Sequence, residues 1–174
     1  MAVGMGFGRF AYTGVYPVMV QEGIVSLHDG TLAASANYAG YLLGALLAAR
    51  LSSADSHRWV LISMLASVAC LLILACTASP WLIISIRGAA GLFSALSMIA
   101  ASQWLLQHKG HHESAPLLFS GVGVGIFLSA EILAVAQHMG FNSFSLWLTL
   151  GVSSAVLLRL AGYVPQLRPR LSRN

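Results

Sequence analysis

Three charged side chains lie inside long apolar stretches of the chain. Arg9 follows GMGFG, Arg87 lies within WLIISIRGAAGLF, and Glu131 lies within FLSAEILAV. An arginine at the centre of an apolar membrane helix costs about 2.5–3.5 kcal/mol on insertion scales, so such residues usually face a protein interior or a wet cavity. An arginine can bind an anionic group there, whereas a carboxylate can carry a proton or serve as a counter-ion. These three residues are our first candidates for a functional site.

Polar and aromatic side chains accompany these charges at helical spacing. Tyr12, Thr13 and Tyr16 follow Arg9 by three, four and seven residues, which predicts one stripe along a helix. Pro17 is expected to kink that helix near its end. An ion pair between Glu131 and either arginine, or a purely structural role for Arg9, is the alternative to a functional one. The residues expected to line a substrate or proton pathway are Arg9, Tyr12, Thr13, Asn37, Tyr41, Arg87 and Glu131.

Small residues recur at steps of about one helical turn and predict close helix packing. In membranes, small residues allow neighbouring helix backbones to approach each other. The stretch GVGVG resembles a dinucleotide-binding fingerprint, but it lies inside an apolar helix with no preceding strand, so we reject that reading. The glycines expected at helix contacts are Gly40, Gly44, Gly88, Gly91, Gly121 and Gly125.

The composition is typical of a membrane protein. The chain has 174 residues, of which 57% are hydrophobic and 8% are charged, whereas soluble domains are about 25% charged. Each long apolar run should be a helix, because backbone polar groups cannot remain unpaired in lipid. The predicted spans are residues 1–20, 30–49, 59–77, 81–103, 116–137 and 144–164. The predicted fold is therefore all-α, a polytopic bundle of six transmembrane helices over residues 1–164, followed by a basic cytoplasmic tail at residues 165–174.

The distribution of basic residues predicts the orientation. Apart from Arg9 and Arg87, all of the nine lysine and arginine residues lie in the connections on one side of the predicted membrane, at the end of the last span or in the tail. The connections on the other side contain neither residue type. Basic loops remain cytoplasmic, so both termini are predicted to be cytoplasmic. The first, fourth and fifth spans carry the internal charges and should line a cavity, while the third and sixth should face lipid.

Other kinds of chemistry have weak support. Cys70 and Cys76 are about 9 Å apart along one helix axis at 1.5 Å per residue, too far for a disulfide, and are predicted to be free, buried thiols. A loop that could bind a metal contains His108, His111, His112 and Glu113. A short exposed loop is the simpler interpretation, so no metal or cofactor is expected. No GxSG stretch or paired intramembrane histidine supports a serine protease, so an enzyme is not expected.

Four stretches resemble the YbfB/YjiJ-like branch of the major facilitator superfamily of transporters. They are GFGRFAYTGVYPVM in the first span, SANYAGYLLGALLAARL in the second, RGAAGLFSAL in the fourth and FSGVGVGIFLSAE in the fifth. The resemblance covers nearly the whole chain. It implies secondary active transport of a small solute by alternating access across the bacterial inner membrane, with proton coupling as one option. The partners it implies are the lipid bilayer and a small-molecule substrate, without nucleic acid.

The resemblance also implies that the chain corresponds to the N-terminal half of such a transporter. Transporters of this superfamily consist of two six-helix halves with the substrate held between them. A second half, or a second copy in a homodimer, would then be needed for alternating access. The alternative is a truncated or half-transporter that is inactive alone or requires a partner subunit. Within the half, the resemblance implies that the two arginines contact the substrate or set the electrostatic field of the cavity. It implies that Glu131 carries or balances the proton.

Overall fold

The computed structural model describes residues 2–51, 55–109 and 115–171, which form helices joined by short turns and contain no strands. A π-helix over Ala2–Phe10 leads into the first α-helix. The α-helices are α1 (Tyr12–Gln21), α2 (Leu27–Ala48), α3 (Ser56–Leu74), α4 (Pro80–Lys109), α5 (Ala115–His138) and α6 (Ser143–Leu171). The all-α prediction is confirmed over the described part of the chain.

Helices α2 to α6 each begin within a few residues of one predicted span, but α4 continues beyond residue 103 to Lys109 and α6 continues beyond residue 164 to Leu171. Their apolar runs end where polar or turn-forming residues begin. By length and composition, four stretches of the described residues are able to cross a membrane: Ser56–Leu74, Pro80–Trp104, Phe119–His138 and Ser143–Leu160. Helix α2 is 22 residues long, but Asn37, Tyr38 and Tyr41 lower its hydropathy.

The first predicted span is not one continuous helix. It changes from π-helix to α-helix around Ala11, whereas the sequence led us to expect a disturbance at Pro17, which lies inside α1. The glycine-rich segment GMGFG explains the difference, because glycine weakens the preference for regular α-helix. Single π turns within helices often mark functional sites. The break lies beside Arg9, one of the predicted site residues.

The packed core lies where α1, α3, α4 and α6 meet. Trp147 of α6 is 1% exposed, and its ring stacks on that of Tyr12 with centroids 6.2 Å apart. The indole N–H of Trp147 donates to the sulfur of Met19 at 3.4 Å. Helix α6 therefore contributes to the core beside the site, although the sequence placed this span at the lipid face.

Helices α2 and α4 pack backbone against backbone. A methyl group added at Gly40 would overlap the carbonyl oxygen of Gly88, and one added at Gly44 would overlap the backbone of α4. A methyl group at Gly91 would overlap the backbone of α2 in the same way, whereas at Gly88 the nearest atom would be 3.6 Å away. Three of the four glycines at this contact therefore have no room for a side chain.

A second close approach joins the first span to α5. A methyl group at Gly6 would overlap the backbone at Gly125. Gly121 is half-buried about one turn earlier on α5. By contrast, a methyl group at Gly123 would have no neighbouring atom within 4 Å. The contact between the π-helix and α5 therefore depends on one face of α5.

The first and last helices are joined at one end of the bundle. The carboxylate of Glu22, directly after α1, accepts hydrogen bonds from the backbone amide of Ser143 at 3.0 and 3.2 Å and from its hydroxyl group. Ser143 begins α6, whose first amides have no acceptor within the helix. A negative charge at a helix N-terminus is also favourable for the helix dipole.

Helix α2 begins with a capping box. The hydroxyl oxygen of Ser26 accepts from the amide of Asp29 at 3.1 Å, and the Asp29 carboxylate accepts from the amide of Ser26 at 3.2 Å. The hydrogen bonds from Ser26 also hold the pKa of Asp29 below its usual value. The carboxylate is therefore ionised at neutral pH, where it favours the positive end of the helix dipole.

Replacing Ser26 by alanine should lower the free energy of unfolding by about 1 kcal/mol, because the amide of Asp29 loses its acceptor. Denaturant titration of the purified chain in detergent would measure the loss. Ser35→Ala, at an exposed position within the same helix, is the matched control and should change stability by at most about 0.5 kcal/mol. Equal losses in the two variants would contradict the role of the cap.

Candidate functional site

Arg87 of α4 is 2% exposed and bonds to the backbone of the first span. Its Nη1 donates to the carbonyl oxygen of Gly8 at 3.2 Å, and its Nη2 donates to that of Arg9 at 3.2 Å. Both carbonyls belong to the last turn of the π-helix, where helical amide donors are missing. Arg87 supplies the hydrogen-bond donors that the helix break removes.

Two further contacts fix the position of Arg87. Its guanidinium carbon lies 4.3 Å from the centre of the Tyr12 ring, a cation–π contact. The backbone carbonyl of Arg87 accepts a hydrogen bond from Nδ2 of Asn37 at 2.9 Å, which links α4 to α2. The Nε atom of Arg87 has no hydrogen-bond partner among the described residues. Arg87 therefore connects three helical segments, and its Nε–H is buried without a partner among the described residues.

Arg9 has a different environment, formed by aromatic rings. Its guanidinium carbon lies 4.2 Å from the ring centre of Tyr41, 5.2 Å from that of Tyr38 and 5.7 Å from that of Phe10. Within the described ranges, neither arginine of the site has an acidic partner, and the ion pairs lie elsewhere. Arg9 therefore presents a partly exposed positive charge that no carboxylate neutralises.

Two cavities share lining residues at this point. A cavity of about 70 Å³ is lined by Arg9, Phe10, Tyr12, Thr13, Ala34, Asn37, Tyr38 and Arg87. A groove of about 450 Å³ between the first span and α5 shares Phe10 and Thr13 with it. The groove is mainly apolar, with Thr13, Ser129 and Gln137 as its polar side chains. The positive charge of Arg9 therefore lies in a cavity that shares Phe10 and Thr13 with an apolar groove.

The groove also contains polar contacts to the backbone of the first span. Gln137 of α5 donates from Nε2 to the carbonyl oxygen of Gly14 at 2.8 Å. The Thr13 hydroxyl donates to the carbonyl oxygen of Phe10 at 2.7 Å. Side chains therefore bond several carbonyls around the irregular part of the first span, which permits irregular backbone within a membrane.

Glu131 lies apart from this site. Its side chain is exposed and lines a separate cavity of about 350 Å³ with residues of α5 and α6. The residues of α5 that face the first span include Ser129 and Leu133, and a shift of two residues turns a side chain by about 200° around a helix. The ion pair between Glu131 and Arg9 or Arg87, which the sequence left open, is not formed among the described residues, because the helix directs Glu131 elsewhere.

The remaining predicted site residues lie near the arginines but have different surroundings. Tyr12 is buried, stacks on Tyr16 with centroids 5.6 Å apart, and donates to the carbonyl oxygen of Gly30 at 3.4 Å. Thr13 is exposed and lines both cavities. Tyr41 donates its hydroxyl to the sulfur of Met98 at 3.4 Å. The stripe predicted along the first span is therefore divided between the core and the cavity.

The sequence reasoning missed three residues that line the site, namely Phe10, Tyr38 and Gln137. A signal existed for Tyr38, because it precedes Tyr41 by three residues and so shares its face of α2. A signal for Gln137 was its position within an apolar helix. For Phe10, the sequence offered only its place beside Arg9, which does not distinguish a site residue from one that contacts lipid.

Two other predictions concern cysteine and metal chemistry. Cys70 is buried, but Cys76 is exposed because α3 ends at Leu74, so the predicted burial of Cys76 is wrong. In the described residues, no group of three or more histidine, cysteine, aspartate or glutamate side chains is placed to hold a metal. The histidine-rich loop proposed for a metal falls mostly on residues 110–114, outside the described residues.

Apolar helices around a charged cavity are characteristic of multi-pass membrane transporters. A family model described as "Uncharacterised MFS-type transporter YbfB" matches residues 1–172 of the chain. The chain belongs to this family, which confirms the resemblance to the YbfB-like branch of the major facilitator superfamily. No curated protein and no solved structure matches the chain.

Proposed function

We propose that this chain forms one half of a secondary active transporter, which moves a small solute by alternating access and is not an enzyme. The observation that carries the proposal is the unneutralised charge of Arg9 in a cavity between helices. Such a charge is unfavourable against lipid and is usually retained for a ligand or a transport pathway. The proposed pathway contains Arg9, Thr13, Tyr38 and Tyr41, with Arg87 holding the first span in place.

The exposed side of the site could pack against a second bundle of helices. Tyr38 is 65% exposed and Phe10 is 39% exposed, and Arg9 is partly exposed beside them. We propose that a further six-helix half, or a second copy of this chain, covers this surface and closes the cavity. In the alternative form of this proposal, the chain is a half-transporter that is inactive until such a partner binds.

The proposed topology has six crossings in the bacterial inner membrane, with residues 165–174 and both termini on the cytoplasmic side. Its basis is the positive-inside rule, applied to the exposed residues Arg50, Arg58 and Arg159 and to the basic tail. For proton coupling, Glu131 is the proposed carrier because it is the acidic residue within the described apolar spans. The coupling site would then lie apart from the site at Arg9.

The proposed function is tested by exchange in liposomes. The purified chain would be reconstituted after light scattering, corrected for bound detergent, has established its oligomeric state. A dimeric preparation should exchange at least one labelled solute from a panel of sugars, amino acids and carboxylates faster than empty liposomes. A monomeric preparation should do so only after its partner is added. Exchange no faster than in empty liposomes, for a dimer or for a monomer with its partner, would contradict transport.

A further inference from the structure

We infer that the ligand of this site is a small organic carboxylate with an apolar body. Its carboxylate would bind Arg9, and its body would lie in the groove between the first span and α5. The route across the membrane rests on the proposed transport function, whereas binding at Arg9 does not. The inference comes from the different environments of Arg9 and Arg87. From the sequence, the two arginines could not be told apart.

Arg87 is almost completely enclosed by protein and holds the backbone of the first span, although its Nε has no partner among the described residues. Both of its terminal nitrogens already donate to carbonyl oxygens of the first span, at 3.2 Å each. Its side chain is 2% exposed. The Tyr12 ring covers its guanidinium group at 4.3 Å. A ligand that bound Arg87 would have to displace the contacts that hold the break in the first span.

Arg9 has the opposite properties. It is partly exposed, and its guanidinium group makes cation–π contacts with the rings of Tyr41, Tyr38 and Phe10. The faces of aromatic rings attract a cation, but they leave the N–H donors of the guanidinium group for a ligand. The fork of these donors matches the two oxygens of a carboxylate. A single cation also favours a singly charged carboxylate over a doubly charged phosphate.

The groove favours an apolar body. Its volume of about 450 Å³ lies within the range of small-molecule sites, about 300–1,000 Å³. Its walls include Ala11, Ala130 and Leu133, and it shares Phe10 and Thr13 with the cavity of Arg9. A sugar would leave most of its hydroxyl groups without partners against such walls, at a cost for each.

The test compares carboxylates with their uncharged amides on the purified full chain in detergent. The probes are benzoate with benzamide, hexanoate with hexanamide, and acetate with acetamide, and dissociation constants come from ligand-induced shifts in Tm. Benzoate and hexanoate should bind at least tenfold more tightly than their amides. Acetate should bind at least tenfold more weakly than benzoate, because it does not reach along the groove.

Variants at Arg9 locate the effect. Arg9→Gln should abolish the preference for carboxylates, and Arg9→Lys should retain part of it. Arg159→Gln, which removes an exposed arginine from α6, should leave the preference unchanged. Each variant would first be shown to be folded by its melting transition without ligand, and Arg9→Lys provides a conservative change if Arg9→Gln does not fold.

The inference would be overturned if no carboxylate bound the folded chain, if benzamide bound as tightly as benzoate, or if the preference survived in Arg9→Gln. Acetate binding as tightly as benzoate would overturn the part that concerns the groove. Binding that depends on Arg9, without exchange in liposomes, would contradict the transport function and leave this inference intact. Exchange of a neutral solute without carboxylate binding would support the transport function and overturn this inference.

Discussion

Replacing Arg87 by alanine should lower the free energy of unfolding by roughly 2–6 kcal/mol, at about 1–3 kcal/mol for each of the two carbonyl groups that lose a donor. The carbonyls of Gly8 and Arg9 lie within a helical bundle, where water is not freely available to replace the guanidinium group. The cavity left by the side chain adds to the loss. Unfolding in mixed micelles of mild detergent and sodium dodecyl sulfate would measure the difference.

Arg87→Lys distinguishes hydrogen bonding from charge alone. A lysine keeps the positive charge, but it lacks the planar fork that allows Arg87 to reach two carbonyls at once. We therefore expect a stability between those of the native chain and Arg87→Ala. Arg159→Ala, at an exposed position on α6, is the control for loss of a charge. A loss below about 1 kcal/mol in Arg87→Ala, together with impaired ligand binding, would instead assign Arg87 to the ligand.

The second large effect is expected at Gly40. Gly40→Ala should lower the free energy of unfolding by about 3 kcal/mol, because the new methyl group would overlap the carbonyl oxygen of Gly88 and force α2 and α4 apart. Gly123→Ala is the matched control, since no atom lies within 4 Å of the added methyl group. There the higher helix propensity of alanine should raise stability by as much as about 1 kcal/mol.

The opposite signs of these two changes make the comparison informative. Both variants replace glycine by alanine within a long helix, so differences in propensity largely cancel. Denaturation of the two proteins in the same detergent mixture would compare them directly. If both substitutions stabilised the chain to the same extent, the close contact between α2 and α4 would be refuted.

Much of the fold could be predicted from the sequence, because length and hydropathy determine the helices almost alone. Helices α2 to α6 begin within a few residues of the expected positions, since each apolar run has polar or turn-forming neighbours. The proximity of Arg9, Asn37 and Arg87 was also foreseen, because charged and amide side chains in apolar helices tend to face inward. The periodic glycines of α2 correctly indicated a close helix contact, although they did not identify α4 as the partner.

The position of Glu131 could not be obtained in this way. Periodicity shows which residues share a face of α5, but it does not show which face meets the first span. Ser129 and Glu131 are two residues apart, so only one of them can face the first span. The small contact residues Gly6 and Gly125 decide that choice, and their pairing is a tertiary property that neither helix reveals alone.

The different roles of the two arginines also could not be predicted from the sequence. Tyr12 enters the core while Thr13 faces the groove, because successive residues of a helix point about 100° apart. The change from π-helix to α-helix frees the carbonyl groups that Arg87 binds. Without that local geometry, Arg9 and Arg87 are both simply cations in apolar helices. Their distinction depends on a departure from regular structure that periodic patterns cannot detect.

The contacts of Arg87 also have a consequence for the order of events during synthesis. Its hydrogen bond to Gly8 joins residues 79 positions apart, and a ribosome adding about 5–20 residues per second needs roughly 4–16 s to cover that distance. Until then the nascent first span lacks this donor, whereas a continuous α-helix would satisfy its carbonyls from its own amides. The carbonyl groups of Gly8 and Arg9 therefore gain these two donors only after the segment that contains Arg87 has been synthesised.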